Sequence, residues 1–382
     1  MKVNIQLIDE LKGKGIVALE NFRKGSLIFE EDPIVACQFS WNAACKYEAC
    51  NHCLKPLETA EENVRRLTGN TNLVLPYPEC STISKSGIVQ CVSCGTKYCS
   101  QQCQVESLNQ YHKVLCFNTL ERNNGHPLEQ LEETWKQVHY PPETSSIFLI
   151  VRLLARVIQA PNKEEFISQI LNFCHRSKNE EKNLAHKLLG EKYAGEINLL
   201  RELLGNAIPN ENIQEFLSPE GFQSLLALLG TNGQGVGTSP FSAWRENVHK
   251  KNLSSEELQK VDDFIDKIYE DMYSHTGDFL NSEGVALYVL QSCANHSCMP
   301  NAEIRFLHNN SRLSLVALED IEPNEEICIS YLDECALERS RHSRRKLLQE
   351  NYLFACECPK CISQIDDPDI TSDEEMSECD SE

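Results

Sequence analysis

Cys91-Val92-Ser93-Cys94-Gly95-Thr96-Lys97-Tyr98-Cys99-Ser100-Gln101-Gln102-Cys103, followed by His112 and Cys116, is the stretch on which the reading of the fold turns. Six thiol or imidazole side chains fall here, with two, four, three, eight and three residues between them. Zinc takes four such ligands in a tetrahedron. A Cys-x2-Cys knuckle puts two sulfurs on one ion, and a Cys-x3-Cys or His-x3-Cys pair suits one helical turn. Upstream, Cys50-x2-Cys53 brings the set to eight ligands, enough for two sites. The interleaved order predicts a cross-brace, with Cys50, Cys53, Cys99 and Cys103 on one ion and Cys91, Cys94, His112 and Cys116 on the other. Cys80 lies inside the long spacer between Cys53 and Cys91 and is a candidate to replace one of the first ligands. Residues 50–116 have few long apolar runs, so bound zinc is expected to hold them.

The chain around this module has 382 residues, of which 41% are hydrophobic, enough for two or three compact units. Lys and Arg number 36 against 57 Asp and Glu, a net charge of −21. Such a chain is poorly suited to gripping phosphates and better suited to a basic partner. Nine of the acidic residues fall within 366–382, so the rest of the chain carries −21 + 9 = −12. Nineteen cysteines would be a disulfide framework in a secreted protein. No apolar leader follows Met1, so the expectation is a cytoplasmic chain, with a nuclear fraction as the other compartment, and metal-bound thiols. The most apolar stretch, Ile147 to Ile158, is short and carries Arg152 and Arg156, so it is not read as a membrane span.

Val3 to Ile8, Ile16 to Leu19, Leu27 to Glu30 and Ile34 to Phe39 read as strands. Residues 128–275 read as helices, among them Ser145 to Gln159 and a helix from Ser254 to Tyr273 opened by Ser254-Ser255-Glu256-Glu257. Strand character returns at Arg312 to Leu318 and Glu326 to Tyr331, and Arg339 to Gln349 reads as a basic helix. Strands at both ends, with helices and a cysteine module between them, predict an α+β protein: one β domain interrupted by insertions. A further cluster, Cys356-x-Cys358-x2-Cys361, has three thiols and needs a fourth ligand from elsewhere.

Three segments recur in a known order: Lys12-Gly13-Lys14-Gly15, Asn295-His296-Ser297-Cys298-Met299-Pro300-Asn301, and Glu325-Glu326-Ile327-Cys328-Ile329-Ser330-Tyr331. Followed by Cys356, Cys358 and Cys361, they resemble the SET domain and post-SET segment of protein-lysine methyltransferases, and the module at 50–116 resembles a MYND finger inserted into that domain. The combination is similar to the SET and MYND domain-containing lysine methyltransferases, nearest the branch of the fifth member. The resemblance divides the chain into a SET N-terminal part (1–45), a MYND finger with a long internal spacer (46–120), a helical insertion (127–280), the catalytic SET C-terminal part (281–333), a basic helix with the post-SET zinc segment (334–361) and an acidic disordered tail (362–382). Because only 21 residues follow Cys361, the C-terminal helical repeat domain of other members is expected to be absent.

The resemblance implies methyl transfer from S-adenosylmethionine to a lysine amine. Lys12, Gly13 and Lys14 would line the cofactor pocket, with Asn295 and His296 contacting the cofactor at a knot-like crossing. Tyr331 would direct its hydroxyl at the reacting centre. Tyr352, Leu353 and Phe354 would cover the adenine and wall the lysine channel. Cys298 would complete a third zinc site with Cys356, Cys358 and Cys361. Two departures stand out. Asn324 occupies the usual Gly of Gly-Glu-Glu, where it tolerates a left-handed backbone. The Gly-rich segment 230–239 lacks the Lys-Ser/Thr ending of a phosphate loop and reads as a loop near the substrate cleft.

The implied substrate is a lysine of a basic protein, a large-subunit ribosomal protein or a histone H3/H4 tail, with trimethyl-lysine as product and a monomeric enzyme. The competing reading is a non-catalytic adaptor that recruits partners such as corepressors through the MYND finger. The run Arg339, Arg341, Arg344, Arg345 and Lys346 reads as a solvated helix face, and a DNA-binding protein is disfavoured by charge.

Overall fold

The apolar residues of the first two strands, Val3 and Ile16 to Ala18, find their partners near the opposite end of the chain. The computed structural model describes residues 2–10, 12–117, 125–139, 143–174, 193–276 and 281–368. Strands β1 (Val3–Asp9) and β2 (Gly13–Ala18) form an antiparallel hairpin. The sheet continues through β12 (Glu326–Ile329), which sets Ile327 opposite Ile16, to β9 (Asn295–His296), in the order β1-β2-β12-β9. A second sheet, β10-β11-β3, joins β3 (Leu27–Glu31) to β10 (Ala302–Arg305) and β11 (Leu313–Ala317). A third, β4-β8-β7, joins β4 (Val35–Gln38), β7 (Gln234–Thr238) and β8 (Ser282–Leu287). Ile16, Ile28, Ala286, Leu315 and Ile327, drawn from all three sheets, bury one shared core.

The helical insertion has its own core around Ile147–Gln159, in which nine of 13 residues are buried. A helix apolar on nearly every side belongs inside a bundle. Its two arginines, expected only to bar a membrane span, are polar pins. Buried Arg152 donates to the carbonyls of Ala36 in β4 and Asn51 in the first cysteine knuckle, and Arg156 donates to that of Ile34. No helix of the described residues is long and apolar enough to cross a membrane. The helix Ser255–Thr276 opens on Ser254, whose Oγ accepts from the Glu257 N–H while the Glu257 carboxylate accepts from the Ser254 N–H.

Four expectations are corrected. The segment 230–239 is not a loop: the helix Pro219–Asn232 runs through Gly230 to Asn232, and Gln234–Thr238 is β7, paired along its length with β8. Only Val236 and Thr238 of that strand are buried, because the glycines leave the ladder, not side chains, to hold it. The insertion is therefore not purely helical. The spacer between Cys53 and Cys91 is not held by zinc alone. Its helix Ala60–Thr68 packs Val64 and Leu67 against Trp244, Ile265, Ile268 and Met272 of two insertion helices, and Trp244 Nε1 donates to Pro76 O at 3.0 Å. The basic helix, Arg341–Tyr352, is not solvated throughout: Arg344 is 1% exposed. Lastly, the chain past Cys361 is still packed at Gln364, which accepts from Arg344 Nη2 at 2.7 Å, while tail residues 369–382 lie outside the described residues.

Candidate metal centres and active site

Two interleaved knuckles build the finger, the second carried on the antiparallel pair β5 (Val89–Gln90) and β6 (Lys97–Tyr98). The Leu54 N–H closes the first by donating to Cys50 O at 2.9 Å, and the Gly95 N–H closes the second on Cys91 O at 2.9 Å. The helix Gln101–Ser107, capped by Ser100, presents Cys103, and a wider helical turn at Leu108–His112 brings His112 inward. Cys50, Cys53, Cys99 and Cys103 come together as one group and Cys91, Cys94, His112 and Cys116 as another, the ligand atoms of each within 4.8 Å of one another. Cys80 belongs to neither, since it is buried in the spacer core beside Leu67 and Trp244.

A third group is Cys298, Cys356, Cys358 and Cys361, all four buried. A zinc–sulfur tetrahedron with bonds of about 2.3 Å has edges of about 3.8 Å. The sulfur pairs here measure 3.7 Å (Cys298–Cys361) and 3.9 Å (Cys298–Cys356). In the finger, Cys53–Cys99 and Cys91–Cys116 are both 3.6 Å apart. All three groups fit zinc in donor chemistry and size. Arg344 Nη2 lies 3.7 Å from Cys361 Sγ, and Arg341 Nε donates to Cys361 O at 2.7 Å. Four thiolates around one divalent ion leave two negative charges, and this buried guanidinium offsets part of them.

The residues that the resemblance implies for the cofactor gather where β2, β12 and β9 run side by side. Gly13 has φ +69°, which a side-chain-bearing residue resists. A Cβ on Gly15 would stand 3.0 Å from Asn295 Nδ2, so glycine lets that side chain reach Lys14 O at 3.1 Å. Asn295 Nδ2 also donates to Glu326 Oε1 at 2.9 Å, and Lys12 Nζ pairs with Glu326 Oε2 at 2.6 Å. The three segments are thus tied through one carboxylate. Asn324 adopts φ +72°, the left-handed turn that opens β12. Asn301 threads the next layer, accepting from the Cys328 N–H at 2.8 Å and donating to Glu326 O at 2.9 Å.

Tyr331 follows β12. Its backbone N–H donates to His296 Nδ1 at 2.9 Å, which leaves the His296 proton on Nε2, 3.4 Å from Cys298 Sγ. Burial pushes the His296 pKa down to about 4, so the ring is neutral. The Tyr331 hydroxyl donates to Ala294 O at 2.7 Å, and burial pushes its pKa well above the usual phenol value. Its oxygen is therefore a neutral acceptor. Tyr352 and Phe354 flank Tyr331, with ring centroids at 4.8 and 6.2 Å, and Phe354 also approaches His296 at 6.1 Å. Leu353 between them has φ +63°, a strained turn that sets both neighbouring rings against Tyr331.

Two cavities, of about 320 and 190 Å³, meet at Tyr331, Tyr352 and Gly233. The larger is walled by Leu229, Leu332, Asp333, Ala336 and Leu347, the smaller by Gly235, Gln291, Ser292 and Ala294. The Gly-rich segment thus borders both cavities, as helix end and strand. Nothing local in the sequence marks Ala294, Glu31 or the burial of Arg344, and the motif around Glu326 does not by itself give that carboxylate a role.

The SET domain family matches residues 13–332. A chicken protein named Protein-lysine N-trimethyltransferase SMYD5 is 52% identical over 370 residues, covering 97% of this chain and 88% of that protein. A human protein of the same name is 50% identical over 374 residues, covering 98% and 90%. A human protein named Histone-lysine N-methyltransferase SMYD3 is 26% identical over 375 residues, covering 96% of this chain and 63% of that protein.

Proposed function

As the chain belongs to the SET-domain family, among the SET and MYND protein-lysine methyltransferases that use S-adenosylmethionine, we propose that it trimethylates a lysine of a basic protein in the cytoplasm. A large-subunit ribosomal protein is the favoured substrate, and histone H3/H4 tails are the other candidates. The names of the relatives near 50% identity support the trimethyl product, and the net charge of −21 supports a basic partner.

One observation carries the reading: the Tyr331 hydroxyl is held on the Ala294 carbonyl where the two cavities meet. Bound S-adenosylmethionine supplies the methyl group as an electrophile. Lys12, Gly13, Lys14, Asn295 and His296 would hold it, with Phe354 against the adenine side. An attacking lysine must be neutral, and its ordinary pKa is about 10.4. The aromatic walls of Tyr331 and Tyr352 exclude water and disfavour the ammonium form. Because the Tyr331 proton is committed to Ala294, the hydroxyl oxygen is left to accept from the amine or from polarised methyl C–H groups and to orient attack. The Cys298 group ties the segment carrying Tyr352 and Phe354 to His296, so zinc at that group supports activity as well as stability.

The test incubates zinc-loaded protein and Tyr331→Phe with isotopically labelled S-adenosylmethionine and separate pools of ribosomal proteins and core histones. Lysine labelling by the wild type that falls sharply in the variant is expected, and the labelled pool gives the substrate class. Equal labelling by both proteins would remove Tyr331 from the reaction. No label and no cofactor binding would favour the adaptor.

A further inference from the structure

We infer that Glu31 is a positioning residue for Tyr331, acting through a short turn that aims the Ala294 carbonyl; the inference rests on the reading of Tyr331 given above. Glu30 and Glu31 are neighbours on β3 and so face opposite ways. Glu30 faces Arg312 at 3.0 Å and Ser314 Oγ at 3.2 Å. Glu31 faces inward, where its two oxygens each accept a backbone N–H, from Leu290 at 2.8 Å and Gln291 at 2.9 Å.

Those N–H groups open the tight turn Gln291–Cys293. The turn closes when the Ala294 N–H donates to Gln291 O at 2.9 Å. Ala294 is fully buried, and its carbonyl accepts a hydrogen bond from the Tyr331 hydroxyl at 2.7 Å. Asn295, the next residue, begins β9. One carboxylate from the β10-β11-β3 sheet therefore clamps one end of a four-residue arc, and Tyr331 hangs from the other end.

The fork matters because two acceptors on two successive N–H groups fix the turn's rotation as well as its position. A carboxamide of the same size accepts through one oxygen only and turns an N–H donor toward the second backbone N–H. Glu31→Gln should therefore let the turn rotate, swing the Ala294 carbonyl and release the Tyr331 hydroxyl from its set direction. Lys12, Lys14 and β12 are untouched, and the Asn295 side chain keeps its own anchors on Lys14 O and Glu326 Oε1, so cofactor binding should persist.

The test is a double-mutant cycle on full-length zinc-loaded protein: wild type, Glu31→Gln, Tyr331→Phe and the double variant. Initial rates are measured with labelled S-adenosylmethionine and the combined ribosomal and histone pool at saturation, and cofactor affinity by calorimetry. We expect Glu31→Gln to lower kcat about tenfold, with the cofactor Kd within about twofold. In the Tyr331→Phe background the same substitution should change the residual rate less than about twofold. An equal, additive loss in both backgrounds would overturn the inference, and so would a wild-type kcat in Glu31→Gln. Tyr331→Phe alone reports on the site: an unchanged rate there would defeat the reading of Tyr331 itself, and with it this inference. Carbon-13 NMR of ζ-labelled tyrosine gives a second readout, needed if Tyr331→Phe leaves no rate to measure. The resonance lost in Tyr331→Phe should move in Glu31→Gln, and a fixed resonance would overturn the inference. Should Glu31→Gln fail to fold, Glu31→Asp, whose stem is one methylene shorter and so withdraws the fork from both N–H groups, replaces it under the same criteria.

Discussion

Replacing Arg344 by Met should loosen the third metal centre selectively. The guanidinium is 1% exposed, 3.7 Å from Cys361 Sγ and 2.7 Å from Gln364 Oε1. Two opposite unit charges 3.7 Å apart interact by about 4.5 kcal/mol at an effective dielectric near 20. Burying the guanidinium costs part of that gain, and Met, with a similar stem and no charge, avoids the cost. A net loss of roughly 1.4–2.8 kcal/mol remains, about 10–100-fold in zinc affinity, the usual size of an effect from a partner one step outside the ligands. The assay follows zinc release from fully loaded protein against a colorimetric chelator. Two of the three ions should leave as in the wild type, and the third at about 10–100-fold lower chelator activity. Arg344→Lys, which keeps the charge without the fork, should fall between. Superimposable release curves for Arg344→Met and wild type would refute the reasoning, as would equal weakening of all three sites.

Further outcomes follow from other parts of the molecule. Leu67→Ala should destabilise the protein by about 2–5 kcal/mol in denaturant unfolding, because the buried side chain joins the finger's spacer to the insertion; a loss below about 1 kcal/mol would mean that this contact is not formed in solution. Burial pushes the Glu143 carboxyl from 4.5 up to about 7, although it accepts from the Ser40 and Trp41 N–H groups. Folding therefore favours its protonated form, and that stabilisation is complete below 4.5 and lost as pH rises through about 7. Relative to Glu143→Gln, wild-type Tm should drop between about pH 4.5 and 7 and level off above that, and a constant difference over that interval would contradict the assignment. Partial chelation that removes the most labile ion from Arg344→Met should abolish methyl transfer while far-ultraviolet circular dichroism stays unchanged; retained activity would uncouple the third centre from Tyr331.

Spacing made the metal groups legible, because tetrahedral coordination by near neighbours in the chain is a local constraint. The Glu326–Tyr331 segment is legible as a strand, whereas Asn295–His296 is legible only as a motif; the structure pairs the two directly. Contacts that depend on distant partners were not. Ala60–Thr68 has a capping box and an apolar face, yet its partners lie near residues 244 and 265–272, so nothing nearby announces a core. The Gly-rich strand β7 defeats β-propensity because its stability comes from the ladder to β8. In the sequence Arg344 is one of five Lys and Arg charges in the run 339–346. The helix sets Arg341 and Arg344 three residues apart on one face, and that face covers the third cluster. Glu31 meets its turn across 259 residues, a distance over which no local pattern could point.

The pairing of β2 with β12 also governs how the protein is made. Val17 waits for Glu326, and a ribosome adding about 5–20 residues per second needs roughly 15–60 s to deliver it. Through that interval the leading hairpin lacks the strand that completes its sheet, while the finger already holds all eight ligands. The nascent chain should thus be born metal-first, with its eight ligands able to close on zinc while the leading hairpin is still uncovered and cleavable. An unpaired strand edge in this window is open to wrong partners. Zinc shortage during synthesis would then show as chaperone-bound or aggregated nascent protein rather than as a finished enzyme of low activity.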